Sequence, residues 1–221
     1  MNLLDKKLYI AEGIVQHYIT FCPNDAPGDA ITNSSQLENP FRQLFSYLKD
    51  NNIHILQEKI YGLAAEMEAI LSVRNNIALE MGSKDTIPPC FIEGAPFIEG
   101  CFSGVHIIGV SFDSNCDYGR ANIKNVEYKN ETMGRILETP LFKEIYLSGI
   151  SDYKKSNIPA EQAKLMFHKA VDILKNEHCS AENLIRTWIY FPHILDWYGE
   201  FNKARDLCFK KFGLIAEDKK Q

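Results

Sequence analysis

The fold class of this chain follows from one stretch of its sequence, CFSGVHIIGV at residues 101–110. This stretch is almost continuously apolar, which is typical of a strand buried on both faces near the centre of a sheet. Residues 53–62 also have strand character, and residues 87–94 (IPPCFIEG) predict a further strand. Because the prolines of that last segment cannot donate hydrogen bonds, it is expected at a sheet edge. The middle of the chain therefore predicts a β-sheet.

Segments with helical periodicity alternate with these strands. Phe41, Leu44, Phe45 and Leu48 fall at helical spacing after Pro40, and proline fits the first turn of a helix. Further helices are predicted at residues 63–81, 159–174 and 193–212, and further strands at residues 122–128, 141–148 and 185–191. Because helices alternate with strands that are often consecutive, we predict an α+β fold with helices packed on one face of a sheet.

The composition is that of an ordinary globular protein. The 221 residues are 45% hydrophobic and 24% charged, with a formal net charge of −5 at pH 7, which excludes a disordered chain, a collagen-like repeat and a small disulfide scaffold. There is no basic excess to attract nucleic acid, and no apolar run approaches the roughly 20 residues that span a bilayer. The six cysteines form no CxxC pair. We therefore expect a cytoplasmic protein with reduced thiols and without a nucleic-acid or membrane partner.

Motifs of well-known cofactor and metal sites do not occur in the sequence. It contains no P-loop, GxGxxG, HExxH, GxSxG or EF-hand pattern, and its six histidines lack metal-ligand spacing. The adjacent His178 and Cys179 do not by themselves make a zinc site, which needs three or four converging ligands. Glu93 and Glu99 are each followed by glycine around a proline turn, a pattern more typical of an exposed hairpin than of a general acid or base. We expect no metal and no cofactor.

Aromatic residues are concentrated near the C-terminus. Trp197, Phe201 and Arg205 follow one another at a spacing of four, so they share one face of the predicted helix. Rings and a guanidinium can hold a planar anion by stacking and by paired hydrogen bonds. Equally, an aromatic stripe at helical spacing can be packed core with the arginine at its rim. Both interpretations stay open on the sequence alone.

Three segments of the C-terminal third carry a family resemblance. They are a glutamine-bearing helix at residues 159–174, a T-x-x-(Y/F) strand within residues 183–190 and an F-N-x-x-R helix at residues 201–205. This set resembles the Rid family, the YjgF proteins also known as L-PSP endoribonucleases. Residues 186–202 further resemble the pattern R-T-W-x-Y-x-x-x-I-x-x-W-Y-x-x-F-N of longer, chorismatase-like members.

The resemblance implies a chorismate-mutase-like fold, in which layers of helices lie on a mixed β-sheet. Weaker similarity extends to residues 53–62, 91–94 and 101–111. We therefore predict two Rid-like halves, at residues 1–140 and 141–221. In the family, the F-N-x-x-R helix is followed by a P-A-(S/R)-(T/S) segment and two closing strands. The sequence after Phe212 has no counterpart of that segment, so the second Rid-like half is expected to be incomplete.

The same resemblance implies a homotrimer that binds small carboxylates and needs no cofactor. Short Rid proteins hydrolyse reactive enamines and imines, and chorismatases hydrolyse chorismate. We therefore expect this protein to bind a small carboxylate metabolite and to hydrolyse an enamine, an imine or a chorismate-like substrate. The alternative is a catalytically inactive Rid-like binding or assembly module. RNA cleavage, suggested by the family's older name, is not expected because the chain lacks a basic surface stripe.

The substrate-binding residues implied by the resemblance come from two places in the sequence. Tyr190, Trp197 and Arg205 would stack on the ligand and pair with it. Ser148 and Gly149, at the place of the family's SGQ strand, would offer a hydroxyl and backbone groups. No catalytic residue is assigned.

Overall fold

The computed structural model describes residues 1–24, 30–83, 87–96, 99–113, 121–151 and 155–216. The chain divides into two compact units, Met1–Gly149 and Ile150–Gln221, called unit 1 and unit 2 and described one at a time. The sequence suggests a boundary between residues 140 and 141, and the compact units divide after Gly149. The fold is mixed α+β, as predicted, and the sheets lie in unit 1.

Unit 1 is built on a five-stranded sheet, called sheet A. Its strands are β1 (Asn2–Ala11), β2 (Ile14–Cys22), β3 (His54–Gly62), β4 (Cys90–Glu93) and β5 (Phe102–Phe112). Their order is β1-β2-β5-β3-β4, with β3 and β4 parallel and the other neighbours antiparallel. The predicted central strand is confirmed in β5, and the proline-led strand β4 lies at a sheet edge, as predicted.

The hairpin of β1 and β2 forms the other side of sheet A, and no element was predicted there. Asp5, Lys6 and Lys7 stand in the middle of β1, and these residue types are depleted in strands. Because of these charged residues, the sequence of this segment does not predict a strand. Lysines on an edge strand also discourage pairing with other chains, so the same residues suit the position that β1 occupies.

Two helices, α1 (Glu38–Asp50) and α2 (Met67–Glu80), cover one face of sheet A. The predicted stripe Phe41, Leu44, Phe45 and Leu48 is buried against apolar side chains of β2, β3 and β5. Burying such a side chain stabilises the fold by about 1.5–3 kcal/mol. The prediction of helices packed on one face of a sheet is therefore confirmed in unit 1. We call the opposite side of sheet A its open face.

A three-stranded antiparallel sheet, called sheet B, packs on one end of the open face. Its strands are β6 (Asn122–Tyr128), β7 (Glu131–Glu138) and β8 (Lys143–Leu147), in that order. Leu137 of β7 joins Ile14, Leu56 and Val110 of sheet A in one apolar cluster. Strands β6 and β8 match the predicted segments, whereas β7 was not predicted. As a result, β8 is an edge strand that lies across the open face of sheet A.

Unit 2 contains two helices, α3 (Pro159–Asn176) and α4 (Ile194–Lys211), as predicted. They pack through Phe167 of α3 and Phe201 of α4, with aromatic side chains around them. Before the second helix, Ser180 accepts a hydrogen bond from the Glu182 backbone N–H at 3.2 Å and caps a short 3-10 turn. Trp197 interrupts the first turn of α4 with non-helical backbone angles.

The strand predicted at residues 185–191 is wrong. Within residues 150–151 and 155–216 of unit 2, no residue is part of a strand. Ile185 is 95% exposed, so its β-branched side chain does not pack against a sheet. Strand preference of such residues reflects packing on a pleated surface rather than the backbone alone. The described ranges of this unit contain no neighbouring strand, so residues 185–191 have no partner with which to form a sheet.

Candidate functional site

The candidate site lies where β8 crosses the open face of sheet A, and we call it the β8 seam. Polar side chains join the two sheets there: Gln57 of β3 donates from Nε2 to the Leu147 carbonyl at 3.2 Å. Gln16 of β2 donates from Nε2 to the Tyr146 hydroxyl at 2.5 Å. Most polar groups of a protein interior are paired in this way, so the seam is an organised polar layer between two sheets.

A hydrogen-bonded chain runs along one side of the seam. The Tyr18 hydroxyl donates to Gln16 Oε1 at 2.9 Å, and the Tyr146 hydroxyl donates to Glu144 Oε2 at 2.8 Å. Burial, and then the hydrogen bond to Glu144 and its charge, raise the pKa of Tyr146 well above its usual value. Tyr146 therefore keeps its proton at neutral pH and acts as a hydrogen-bond donor.

A buried lysine lies on the other side of the seam. Lys59 of β3 stands opposite Cys90 of β4 and opposite His106 of β5 in the strand register, and it is only 8% exposed. Burial lowers the pKa of His106, and the positive charge of Lys59 lowers it further. The imidazole is therefore neutral at pH 7, and a neutral imidazole can accept a proton.

The thiol of Cys90 belongs to the same group. Burial raises its pKa, while a hydrogen bond from the Gly149 backbone N–H and the charge of Lys59 act in the opposite direction. The thiol is thus protonated at neutral pH, and its reactivity is low. Its contact with Gly149 shows that the turn after β8 reaches the row formed by Cys90, Lys59 and His106.

Ser148 and Gly149, two of the residues predicted from the sequence, form this turn. The Ser148 backbone N–H donates to the Met133 carbonyl at 2.9 Å. Its hydroxyl oxygen is buried and has no hydrogen-bond partner within the described ranges. Gly149 has a φ of 63°, and no described atom lies within 4 Å of the position that a Cβ would take. The backbone of the turn therefore borders open space beside Cys90.

The seam combines groups that suit a small anion. A lysine ammonium and a serine hydroxyl are donors with which proteins hold carboxylates. A neutral imidazole on the same row can take a proton from a water molecule. The arrangement can therefore bind a carboxylate and can place a base next to it.

The other three predicted residues, Tyr190, Trp197 and Arg205, belong to unit 2. Trp197 packs on Phe191, with 4.8 Å between ring centroids, and its Nε1 donates to the Pro192 carbonyl at 3.2 Å. Arg205 donates from Nε and Nη2 to Asp206 Oδ1 at 3.0 and 2.8 Å. Tyr190 is 45% exposed. Trp197 thus takes part in the aromatic packing of unit 2, and the charge of Arg205 faces a carboxylate of its own helix.

Lys59, His106, Cys90, Gln16 and Tyr146 were not assigned a role from the sequence. They come from five different strands, and strand register brings them together. The sequence contains one signal that could have found them, because Lys59 is a charged residue inside a predicted strand. A charged residue in such a position is either paired or functional.

Metal binding finds no support in the described parts of the chain, where no group of three or more His, Cys, Asp or Glu side chains could hold an ion. Glu93 and Glu99 are exposed. Five cysteines, Cys22, Cys90, Cys101, Cys179 and Cys208, are free thiols, and Cys116 lies outside the described residues. No helix within the described ranges combines the length and apolar character needed to cross a bilayer.

Comparisons with known proteins yield a distant structural likeness. No protein-family model matches the chain, and no curated protein sequence matches it significantly. Among solved structures, the chain is similar to the crystal structure of a chorismatase, with a TM-score of 0.46 and 12% sequence identity. The similarity covers 92% of this chain and 70% of the chorismatase chain.

Proposed function

We propose that the protein binds a small carboxylate metabolite at the β8 seam. The observation that carries this proposal is the buried Ser148 hydroxyl, which has no partner in the described part of the chain and lies next to the Gly149 turn. A buried hydroxyl without a partner costs about 1–3 kcal/mol. A carboxylate oxygen that accepts a hydrogen bond from it would remove this cost on binding.

Charge and backbone geometry favour an anion over a neutral ligand. Lys59 supplies a positive charge in a largely buried position opposite Cys90 and His106. Opposite charges attract more strongly where water is excluded. At Gly149, no described atom beyond its chain neighbours lies within 4 Å of the position that a Cβ would take. The proposed ligand therefore places its carboxylate between Ser148 and Lys59.

We further propose that the bound carboxylate is a reactive enamine or imine, or a chorismate-like molecule, and that the site hydrolyses it. His106 would take a proton from water while the water oxygen adds to the C=N carbon of an imine, and would then pass that proton to the nitrogen. Loss of ammonia from the adduct then yields a keto acid. The resemblance of residues 186–202 to chorismatase-like Rid proteins, and a chorismate-mutase-like arrangement of the sheets, are part of this proposal.

The second candidate is a Rid-like module that binds without catalysis. It is favoured by Tyr146 and Glu144, because their hydroxyl and carboxylate already pair with each other at 2.8 Å. Groups that are satisfied by each other offer less to a reacting substrate. Under this alternative, the seam binds its ligand and releases it unchanged.

Calorimetric titration with chorismate and with pyruvate tests the binding step. Lys59→Met should weaken binding about 10- to 100-fold, the effect of a lost hydrogen bond to a charged group. Lys124→Met, at a side chain that is half exposed in sheet B, is the matched control and should bind like the wild type. No binding of either ligand, or equal affinity in both variants, would overturn the proposal.

Turnover separates the two candidates. Wild-type protein and His106→Gln are incubated with chorismate and with a freshly generated amino-acid imine. Hydrolysis above the background rate in the wild type, lost in His106→Gln while binding is retained, supports the enzyme. Binding without hydrolysis of any of these substrates supports the module.

A further inference from the structure

A second polar group lies on the helix-covered face of sheet A, away from the β8 seam. His17 of β2 contacts Asp5 of β1 through Nδ1, at 2.8 Å from Oδ2. The other ring nitrogen, Nε2, is 2.8 Å from the hydroxyl of Ser111 in β5. We call this group the Asp5–His17–Ser111 relay. It holds a carboxylate, an imidazole and a hydroxyl in one line.

Strand register explains why three such distant residues meet. Lys7 of β1 stands opposite His17, and Val15 of β2 stands opposite Ser111. Because side chains alternate along a strand with a period of two, Asp5, His17 and Ser111 all point to the same face. They occupy diagonal positions on three neighbouring strands, which is within reach of their side chains.

The surroundings of Asp5 determine which nitrogen of His17 carries the proton. The side chains of His17 and Asp5 are only 2% and 5% exposed. The Tyr47 hydroxyl of α1 also donates to Asp5 Oδ2, at 2.8 Å. An ionised carboxylate only accepts hydrogen bonds, so Nδ1 carries the proton. In the neutral imidazole, Nε2 then has the lone pair and can accept the hydrogen of the Ser111 hydroxyl.

Tyr47 helps to fix the position of the Asp5 carboxylate. Burial, and then the hydrogen bond to Asp5 and its negative charge, raise the pKa of Tyr47 to about 12. Tyr47 therefore remains a donor to Asp5 throughout the neutral range. A donor from the helix and a donor from the imidazole together fix the orientation of the carboxylate, which in turn orients His17.

Ser111 lies near the end of β5, where β5 is paired with β2 and no longer with β3. The register pairs of β5 with β3 end at Val110, whereas those with β2 continue to Phe112. The Asp113 backbone N–H donates to the Gly13 carbonyl on the β2 side at 2.8 Å. Because alternate residues of an antiparallel strand bond to the same neighbour, the N–H of Phe112 points to the opposite side, past the first residue of β3.

The Phe112 N–H thus belongs to the residue next to Ser111 and is directed away from β2. In hydrolases with a serine nucleophile, the backbone N–H of the following residue commonly stabilises the negative oxygen that forms during the reaction. Phe112 is the residue that follows Ser111. Ser111 itself is half-buried.

We propose that Ser111 is the nucleophile of an acyl-transfer site that hydrolyses small esters or thioesters. Its oxygen attacks the carbonyl carbon, and its proton passes to His17 Nε2. The bond to the alcohol or thiol breaks, and this leaving group takes the proton from Nε2. Water then attacks the acyl carbon with His17 as base, the acyl–serine bond breaks, and a carboxylic acid and the free serine are released. This inference is independent of the β8 seam.

A fluorophosphonate probe, which modifies activated serines, tests the proposal on the full chain. Intact mass should show one adduct in the wild type, and peptide mapping should place it on Ser111. Labelling should be absent in Ser111→Ala and at least about 100-fold slower in His17→Gln, the usual range for loss of a general base. Ser46→Ala, on helix α1, is the control and should label like the wild type.

A second variant keeps the test decisive if Ser111→Ala fails to fold. In Ser111→Cys, the introduced thiol should react with iodoacetamide at least about 100-fold faster than it does with His17→Gln added. Hydrolysis of p-nitrophenyl acetate should follow the same order of variants. An unlabelled Ser111 in a folded wild type, or an introduced thiol whose rate does not depend on His17, would show that the relay only joins strands, and would overturn the proposal.

Discussion

Buried charged residues have different neighbours on the two faces of sheet A, and two adjacent residues of β3 show the difference. Glu58 points to the helices and receives both Nε and Nη2 of Arg74 in α2, with Nε at 3.2 Å. Lys59 points to the open face and stands opposite a thiol and an imidazole, Cys90 and His106. A buried charge is tolerated when a partner compensates it. On the helix-covered face the charge of Glu58 is compensated by a guanidinium, whereas on the open face the charge of Lys59 lies beside a thiol and an imidazole.

Two histidines repeat this contrast on neighbouring strands. His17 faces the helices, where Asp5 holds it in the tautomer that accepts a proton at Nε2. His106 faces the open side, where burial and the charge of Lys59 keep it neutral by lowering its pKa. The two imidazoles therefore have different neighbours, a carboxylate and a hydroxyl on one face and a buried lysine on the other.

The largest expected effect is on the helix-covered face. Arg74→Ala should lower the free energy of unfolding by about 3–5 kcal/mol, because it leaves Glu58 charged and buried. Lys124→Ala, which removes an exposed ion pair with Glu138, should cost no more than about 1 kcal/mol. Urea unfolding measures both. The double variant Glu58→Leu with Arg74→Met should recover most of the loss, and a loss equal to that of Arg74→Ala would contradict the comparison.

A smaller loss is expected at Tyr47. Tyr47→Phe removes the hydrogen bond to Asp5 and should cost about 1.5–3 kcal/mol, the range for bonds to charged groups. Tyr9→Phe, at a side chain that is 77% exposed, should leave the stability unchanged. Thermal unfolding with calorimetry compares them. Equal midpoints for the two variants would mean that Tyr47 does not anchor the relay.

On the open face, His106 should make the stability depend on pH. Its pKa is lowered in the folded state, so the unfolded chain binds a proton more readily below about pH 6.5. Stability contributed by the neutral imidazole is thus complete above that pH and is lost as the pH falls towards the folded pKa. His106→Gln should flatten this part of the stability curve. A curve with an unchanged slope between pH 5 and 7, as read from urea midpoints, would refute the assignment.

The smallest effect is expected at the unpaired hydroxyl of the seam. Ser148→Ala should change the free energy of unfolding by less than about 1 kcal/mol, or increase it, since the hydroxyl has no partner to lose within the described residues. Binding of a carboxylate should nevertheless weaken. Ser103→Ala is the comparison, because its hydroxyl donates to the Gly94 carbonyl at 2.7 Å and its loss should destabilise. A destabilised Ser148→Ala with normal binding would make Ser148 structural.

Helices and the central strand were predictable because their signal is local. The stripe of α1 at Phe41, Leu44 and Leu48 and the apolar run of β5 depend on periodicity alone. Strands β1, β2 and β7 were not predicted. Charged residues stand inside β1 and β7, such as Arg135 in β7, which is buried. Residues 185–191 were predicted as a strand from β-branched and aromatic composition, and unit 2 contains no strand beside which they could pair in its described ranges.

Most residues of the candidate site could not be predicted from the sequence. Ser148 and Gly149 were found through a motif, whereas Lys59, Cys90 and His106 meet only through strand register. Register depends on long-range pairing, and a shift of one residue would move each side chain to the other face. The Asp5–His17–Ser111 relay was not predicted for the same reason. Tyr190, Trp197 and Arg205 stay a prediction for unit 2.

Protection of Cys90 tests the binding proposal most directly, because its thiol borders both Lys59 and Gly149. Alkylation by iodoacetamide is followed by peptide mass spectrometry at about pH 9, where part of the thiol is ionised, with Cys179 of unit 2 as the internal control. Chorismate or pyruvate at ten times its Kd should slow alkylation of Cys90 about tenfold, in proportion to the free fraction, and leave Cys179 unaffected. An unchanged rate at Cys90 with the protein saturated would place the ligand elsewhere and contradict the account.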